Sequence, residues 1–420
     1  MERIQKWRKF LSVLVCAAIV GMAFAPSASA QQTGNIIIDV ESGETAEELM
    51  SEDTPVWASQ QVAVPTDAKA LDVGGKSAVL MELSSGQVLF EKNSHEKLPI
   101  ASVTKIMTML LIMEAADSGV ISLDDPVTCS AHAASLGGSQ IWLEQGEIMS
   151  VSDLLKAIAV VSANDACAMM AEYISGSEEG FVQRMNERAA ELGMNDSLFT
   201  DCCGLDDNMY SSAYDVALMS RELMKHKKVT EYTTIWMDTL REGKSQLVNT
   251  NKLVRFYPGA NGLKTGTTSK AGHNLSATAE RGGMELASVI LGCKTTDERF
   301  GGARKMLDHG FANYAVYTPK VEAGLLGPVK VLRGVENNVK SEMKELSPLL
   351  IKKGQEKSVT QTLTMAEDLE APVLDQQIIG ELTLMIEGIE AAKYNIYAAN
   401  GVPRLGIFNA FKRICKALVS

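Results

Sequence analysis

The sequence predicts a mixed α/β fold of the α+β kind, in which an antiparallel sheet is flanked by helices. The first observation is a pair of short β-rich runs, 77–83 and 87–91, on either side of a turn that contains Gly86. The second is that further β-rich runs lie far along the chain, at 262–268, 273–279 and 284–291. The third is that apolar residues between about 120 and 230 recur at three- and four-residue spacing. Strands at both ends with helices between them imply one sheet built from distant parts of the chain, with a helical insertion.

The chain changes character after Pro319. Runs typical of strands alternate with polar turns, and almost no helical pattern occurs before residue 403. We therefore predict a main domain over 71–318, closed by a helix from about 297 to 317. A small, β-rich C-terminal domain is predicted over 319–402.

The N-terminus has the composition of an export signal. Basic side chains precede the apolar run 10–24, and Ala28-Ser29-Ala30 supplies the small residues that a signal peptidase reads. The apolar run is short for a membrane span. We predict a signal peptide over 1–30 and a flexible leader, rich in Glu, Ser, Thr and Gln, over 31–70. The mature protein is then expected outside the cytoplasmic membrane.

The last residues, 403–420, have the pattern of an amphipathic helix. On a helical wheel the apolar side chains share one side: Ile407, Phe408, Phe411, Ile414, Cys415 and Leu418. Basic side chains flank or oppose them, which fits a helix that lies in a membrane interface. The alternative is a helix docked on its own protein. Because an export signal stands at the other end of the chain, we favour contact with a membrane surface through residues 404–420.

Charge and cysteine spacing exclude some classes of function. The formal net charge of −12 at pH 7 argues against nucleic acid as a partner. The cysteines after the predicted signal peptide form no regular framework and no paired C-x-x-C, and the five histidines show no metal-ligand spacing. We therefore expect no metal and no other cofactor. The adjacent pair Cys202-Cys203 has no explanation in the sequence pattern.

A hydroxyl and an amine stand three residues apart at the head of the apolar run 106–113. Residues i and i+3 share a helix face, so Ser102 Oγ and Lys105 Nζ can meet once a helix forms after Pro99. Burial disfavours the ammonium form of a lysine, which is what a lysine needs in order to act as a base near neutral pH. An ordinary helix start with a serine cap would show the same four residues, so the catalytic interpretation needs further support.

Two other short motifs supply that support. Ser162 and Asn164 lie two residues apart in an apolar setting, which fits a tight turn or helix entry that projects both side chains into a cleft. Lys264 and Gly266 share one side of a predicted strand, and glycine there would let a ligand lie close along the strand. Each motif alone has an ordinary structural explanation.

The three motifs together resemble those of the low-molecular-mass penicillin-binding proteins, the serine-type D-alanyl-D-alanine carboxypeptidases. The order S-x-x-K, S-x-N, K-T-G, with about 60 and about 100 residues between the motifs, is similar to the pattern of that family. Segments 99–108 and 264–275 look like the corresponding segments of that family over their full length. The β domain and the amphipathic tail look like the appendages that the family usually carries. The resemblance implies a penicillin-binding/β-lactamase-like fold, and it leaves the loop at Asp201-Cys202-Cys203 as a departure from the usual pattern.

The resemblance also implies roles for the residues. Ser102 would attack the carbonyl between two terminal D-alanines of a peptidoglycan stem peptide and form an acyl-enzyme, and it would be acylated by β-lactam antibiotics in the same way. Lys105 would accept the serine proton, and Ser162 would relay a proton to the departing D-alanine. The backbone N–H groups of Ser102 and Thr267 would form the oxyanion hole.

Substrate binding is expected from the remaining residues of the motifs. The resemblance assigns Asn164 to orienting Lys105 and the substrate amide. The strand residues Lys264, Thr265, Gly266 and Thr267 are expected to contact the substrate. Thr265 and Thr267 each supply a hydroxyl. Arg299 stands at the spacing where the family carries an arginine that binds the substrate carboxylate.

Three alternatives stay open at this point. A D,D-endopeptidase that cleaves peptidoglycan cross-links would use the same motifs. A class A β-lactamase shares the first and third motifs but would carry Asp where Ala163 stands. A non-catalytic wall-binding protein with the same fold would not need Ser102, Lys105, Ser162 and Lys264 intact.

Overall fold

The structure is a computed structural model, and it describes residues 71–321, 324–411 and 415. The predicted signal peptide and leader lie outside the described residues. Residues 71–318, predicted as the main domain, contain the sheet and the helices that position the candidate site.

A five-stranded antiparallel sheet forms the centre of the main domain. Its strands are β1 (Ser77–Glu82), β2 (Val88–Lys92), β7 (Ala260–Thr268), β8 (Gly272–Arg281) and β9 (Met284–Cys293). They lie in the order β2-β1-β9-β8-β7. Because β1 pairs with β9, with Ala78 opposite Ile290, the two ends of the domain close one sheet. The predicted sheet built from distant parts of the chain is confirmed.

Both faces of this sheet are covered, which explains its nearly continuous apolar strands. In β1, Val79 and Met81 pack into the core on one face, and Ala78 and Leu80 pack into the core on the other. This is the alternation expected of a pleated strand. The first core belongs to the helical insertion, and the second is closed by the helix α9 (Thr296–Asn313) through residues such as Met306.

The helical insertion carries most of the candidate site. Its helices are α1 (Lys105–Asp117), α2 (Ala131–Ser135), α3 (Val151–Val161), α4 (Asn164–Ser175), α5 (Glu178–Glu191), α6 (Ala213–Lys225), α7 (Thr230–Thr233) and α8 (Leu253–Phe256). Two small ladders accompany them: β3 (Pro126–Thr128) with β4 (Ile148–Ser150), and β5 (Met237–Leu240) with β6 (Ser245–Val248). Every residue from Ile106 to Met113 is buried, so α1 runs through the core as predicted.

Two sequence predictions about helix ends are wrong in detail. The α-helix after Pro99 is preceded by a 3₁₀ turn, Ala101–Thr104, so Ser102 lies on this tighter turn. The closing helix ends at Asn313, and β10 (Tyr314–Tyr317) pairs instead with β14 (Leu349–Lys352). This pairing satisfies the backbone of a segment whose aromatic and β-branched residues favour a strand.

The C-terminal domain is built from strands, as predicted. Besides β14 they are β11 (Val329–Leu332), β12 (Asn338–Val339), β13 (Ser341–Met343), β15 (Val359–Met365), β16 (Asp368–Glu370), β17 (Ile378–Ile386) and β18 (Ile389–Ala398). A core of its own, with Leu382, Leu384 and Ile396 at its centre, holds the sheets together. The limits 71–318 and 319–402 stay predictions.

The end of the chain is described only in part. Residues 407–411 and 415 are helical, and Ile407 and Phe408 are each 88% exposed. The rest of the predicted amphipathic helix lies outside the described residues. Within 71–321 and 324–411, no helix is long and apolar enough to cross a membrane.

Candidate active site

Ser102 and Lys105 meet at the junction of the 3₁₀ turn and α1. Their Oγ and Nζ atoms are 3.0 Å apart. Lys105 is fully buried, whereas Ser102 is partly exposed, so the hydroxyl can be reached from the solvent and the amine cannot. Ala101 just before the serine has φ +50°, a left-handed conformation that an alanine adopts only where its surroundings hold it. The predicted contact between hydroxyl and amine is therefore present.

The amine of Lys105 is held by two further acceptors. Asn164 Oδ1 lies 2.7 Å from Nζ, and the Cys203 carbonyl oxygen lies 2.6 Å from it. A neutral amine has two N–H groups and one lone pair. If the amide and the carbonyl take the two N–H groups, the lone pair is left for the Ser102 hydroxyl proton. The geometry thus suits a base directed at Ser102 Oγ.

Ser162 and Asn164 lie at the break between α3 and α4, as the tight-turn interpretation predicts. Ser162 ends α3 with φ +65°, and Asn164 is the first residue of α4. The Asn164 side chain is fixed from its other end because Nδ2 donates to the Gly137 carbonyl at 2.7 Å. Ser162 Oγ is buried and has no hydrogen-bond partner among the described residues. A buried hydroxyl without a partner is uncommon and is available for a substrate group.

Lys264 is a second buried lysine and lies on β7. Its Nζ donates to the carbonyl of the next residue, Thr265, at 3.0 Å. Burial lowers the pKa of Lys264 well below its usual range, and the positive charge of Lys105 acts in the same direction. The Thr265 hydroxyl, which follows it, donates to Thr250 Oγ1 at 2.7 Å. Thr265 is therefore already engaged within the protein.

Gly266 brings β7 against the catalytic turn. A Cβ at this position would lie 2.5 Å from the Ile100 carbonyl oxygen and 3.0 Å from Ser102 N. The sequence prediction gave the space at Gly266 to a ligand, but the chain's own backbone occupies the side where a Cβ would stand. The glycine is required first for packing, and its contact with substrate stays a prediction.

Arg299 lies beside the end of the same strand. Its Nη1 donates to Thr267 Oγ1 at 3.2 Å and to the Asn274 carbonyl oxygen at 3.3 Å. The Arg299 residue is 6% exposed, its Nε has no partner among the described residues, and burial lowers the pKa of its guanidinium. Thr267 itself is exposed. The structure thus groups the predicted arginine with the predicted hydroxyl at one edge of the cleft.

The loop 201–206 is a part of the site that sequence reasoning did not find. The Asp201 carboxylate accepts four backbone N–H groups, with Cys203 at 2.7 Å, Leu205 at 2.9 Å, Asp206 at 2.6 Å and Gly204 in very close contact. This fixes the Cys203 carbonyl that Lys105 binds. A Cβ at Gly204 would overlap the Ala101 carbonyl oxygen, so the loop packs directly on the 3₁₀ turn. An aspartate before several small residues is the signal that could have pointed to such a loop.

The candidate catalytic groups contain no set of metal ligands. Among the described residues, the group with metal-ligand geometry is Glu178, Cys202 and Cys203, none of which was predicted as a site residue. The arrangement of Ser102, Lys105, Asn164 and Ser162 instead supports acyl transfer through a serine nucleophile.

Comparison with known proteins gives the family. Residues 63–295 match the family model described as D-alanyl-D-alanine carboxypeptidase, and residues 320–404 match the C-terminal domain of penicillin-binding protein 5. The chain is 44% identical over 343 residues to the D-alanyl-D-alanine carboxypeptidase DacF of Bacillus subtilis, covering 80% of this chain and 88% of that protein. The chain therefore belongs to the D-alanyl-D-alanine carboxypeptidase family of low-molecular-mass penicillin-binding proteins.

Solved structures agree with this family and its fold. Penicillin-binding protein 5 from Haemophilus influenzae is 32% identical with a TM-score of 0.69, covering 79% of this chain and 98% of that one. Penicillin-binding protein D2 from Listeria monocytogenes, in its ampicillin-bound form, is 33% identical with a TM-score of 0.53, covering 57% of this chain and 99% of that one. The predicted fold class is thereby confirmed.

Proposed function

We propose that this protein is a serine D-alanyl-D-alanine carboxypeptidase that removes the terminal D-alanine from peptidoglycan stem pentapeptides. The observation that carries the proposal is the environment of Lys105, whose buried amine contacts Ser102 Oγ, Asn164 Oδ1 and the Cys203 carbonyl oxygen together. Family membership and the name of the Bacillus subtilis relative support the same activity.

The first half of the reaction forms an acyl-enzyme. Ser102 Oγ attacks the carbonyl carbon of the penultimate D-alanine, and its proton passes to Lys105 Nζ. The negative oxygen of the tetrahedral intermediate is bound by the N–H groups of Ser102 and Thr267, each worth a few kcal/mol in such sites. Ser102 N lies in the first turn of the 3₁₀ helix, where backbone N–H groups lack a partner within the helix.

Collapse of the intermediate breaks the peptide C–N bond. The departing amine of D-alanine needs a proton, and Ser162 Oγ, buried and without a protein partner among the described residues, relays it from the Lys105 side. Water then attacks the ester, Lys105 takes its proton, and Ser102 is regenerated with the shortened peptide released. Asn164 keeps Lys105 oriented through both halves.

The terminal carboxylate of the substrate would be the partner of two basic side chains in the cleft. Lys264 and Arg299 are buried basic side chains without an acidic partner among the contacts of the described residues. A bound carboxylate supplies the missing charge, with Thr267 Oγ1 beside it. β-Lactam antibiotics carry an acyl group and a carboxylate and are expected to acylate Ser102, as the ampicillin-bound state of the Listeria protein suggests.

The site of action follows from the substrate. Peptidoglycan lies outside the cytoplasm, so we propose export by the segment 1–30 and attachment to the outer face of the cytoplasmic membrane through 404–420. The exposed Ile407, Phe408 and Phe411 support a membrane-facing helix. Deleting residues 404–420 is expected to move the protein from the membrane fraction to the soluble fraction.

Free D-alanine release from a pentapeptide that ends in D-Ala-D-Ala tests the activity. We expect steady release by the wild type and none by Ser102→Ala. Cleavage of cross-linked dimers without release from pentapeptides would favour the endopeptidase instead. Rapid turnover of a fluorescent penicillin, rather than stable labelling, would favour a β-lactamase.

A further inference from the structure

We propose that Cys202, Cys203 and Glu178 form a binding site for a thiophilic divalent cation such as Zn²⁺, and that its occupation slows acylation of Ser102. One ligand atom from each residue lies within 4.8 Å of the other two. Cys202 and Cys203 are buried and form no disulfide, and the Glu178 side chain is 17% exposed. The two thiols, which have no part in the proposed acyl transfer, thereby gain a function.

The donor set fits this class of cation. Two thiolates and a carboxylate are ligands that Zn²⁺ and Cd²⁺ accept in tetrahedral sites. With Zn–S bonds of about 2.3 Å, neighbouring sulfur ligands in a tetrahedron stand about 3.8 Å apart. The three ligand atoms now lie within 4.8 Å of one another. Side-chain movements on the order of 1 Å would bring them to the separation that the metal requires. Sequence spacing could not show the site because Glu178 belongs to the start of α5 and the cysteines to a distant loop.

The carboxylate is already oriented toward the thiols. Glu178 Oε1 accepts the backbone N–H of Cys202 at 3.1 Å, and Oε2 lies 2.7 Å from His132 Nε2. Hydrogen bonds of this kind commonly hold metal ligands in place. His132 is half exposed, so the carboxylate and imidazole form the side of the cluster that the solvent reaches. A cation entering there leaves a fourth position for water or for the imidazole.

The same two cysteines contact α1 through their backbone carbonyls. The Cys203 carbonyl accepts from Lys105 Nζ at 2.6 Å, and the Cys202 carbonyl accepts from Thr108 Oγ1 on α1 at 2.5 Å. Drawing both sulfurs onto one cation moves Cys203 Cα, which carries both the thiol side chain and the carbonyl that Lys105 binds. Because Lys105 needs the Cys203 carbonyl to stay directed at Ser102, we expect the bound cation to slow proton transfer from the serine. This consequence depends on the proposed function, whereas cation binding does not.

Titration of the reduced, chelator-treated protein with Cd²⁺ tests the site directly. The Cys415→Ser background removes the exposed thiol. We expect one equivalent of Cd²⁺ to give the ultraviolet charge-transfer band of cadmium thiolates, and Zn²⁺ to suppress it by competition. Cys202→Ser should remove most of the band, and Glu178→Gln should weaken binding at least tenfold. The matched control is Cys293→Ser, which changes a buried thiol on the opposite face of the sheet.

The second measurement is the rate at which labelled penicillin acylates the protein with and without Zn²⁺. We expect at least tenfold slowing in the wild type. In Glu178→Gln we expect the slowing to require at least tenfold more Zn²⁺, a result that also covers the case that Cys202→Ser fails to fold. An unchanged cadmium band in Cys202→Ser, or no band in the wild type, overturns the site. Binding without any change in the acylation rate overturns the regulation. A protein that binds Cd²⁺ but is never acylated contradicts the proposed function alone.

Discussion

The cleft contains two buried lysines with different surroundings. Lys105 is 0% exposed and contacts an amide oxygen, a carbonyl oxygen and a hydroxyl. Lys264 is 1% exposed and contacts the carbonyl of its own neighbour, Thr265. Neither amine forms a salt bridge in the part of the chain that the structure describes. The amine of Lys105 is therefore fixed in direction. The pKa of Lys264, in contrast, is set mainly by burial.

This difference suits Lys105 and Lys264 to different roles. A base must point at the proton that it takes, and the three contacts of Lys105 give that direction. A group that binds an anionic substrate needs charge more than direction. Lys264, which has no anionic partner among the described contacts, fits this second role. Replacing each lysine should therefore affect different kinetic constants.

The largest expected effect comes from replacing the two lysines by glutamine. Lys105→Gln removes the base, so kcat for D-alanine release should fall by about 10³-fold or more, since general base catalysis contributes roughly 10²–10⁴. Lys264→Gln removes a charged contact worth about 1.5–3 kcal/mol, so kcat/KM should fall by about tenfold to a hundredfold, chiefly through KM. Steady-state kinetics on a pentapeptide separates the two. Equal losses of kcat in both variants would remove the distinction.

A smaller effect is expected from the loop that fixes the Lys105 acceptor. Asp201→Asn keeps the shape but replaces one carboxylate oxygen by an N–H donor that faces backbone N–H groups. We expect about 1–3 kcal/mol loss of stability and a fall in kcat without a matching rise in KM. The exposed Asp207→Asn is the matched control and should change neither value. A change confined to KM would contradict a positioning role for Asp201.

The packing of β7 on the catalytic turn gives a third test. Gly266→Ala places a Cβ 2.5 Å from the Ile100 carbonyl oxygen, so the turn must move, at a cost of about 1–3 kcal/mol. Gly301→Ala on α9 is the control, because nothing lies within 4 Å of its Cβ. Alanine should stabilise that helix by up to about 1 kcal/mol. Thermal unfolding of both variants measures the contrast, and a neutral Gly266→Ala would show that the turn is free to shift.

The smallest expected effect is a pH dependence of stability caused by Lys264. Its pKa in the folded protein is lowered, so the unfolded chain binds the proton more tightly. Stability should therefore rise with pH between the lowered pKa and the ordinary lysine value of about 10.4. Lys264→Met lacks this contribution, so its stability relative to the wild type should fall on raising the pH through that window. Chemical denaturation at several pH values measures it, and a constant difference would refute the assignment.

Side-chain motifs were predictable from the sequence, and backbone contributions were not. The spacing of Ser102 and Lys105 and the break at Ser162 and Asn164 follow from local geometry, which sequence patterns encode. The Cys203 carbonyl acts through the backbone, and a carbonyl has no residue type to recognise. Its position depends on Asp201, whose four N–H contacts form only once the loop closes.

Other differences arise from tertiary contacts. The sequence did not show that Gly266 is also required for packing, because the backbone it meets, at Ile100, is far away in sequence. Tyr314–Tyr317 was predicted as the end of the closing helix, yet it pairs with Leu349–Lys352 as a strand. In both cases the partner that decides the outcome is distant along the chain.

The most direct test of the central claim is to map penicillin acylation by peptide mass spectrometry in the wild type and in Lys105→Gln. We expect a single adduct on Ser102 in the wild type and acylation slowed by about 10³-fold or more in the variant. An adduct on another residue, or a variant acylated at the wild-type rate, would contradict the assignment of Lys105 as the base for Ser102.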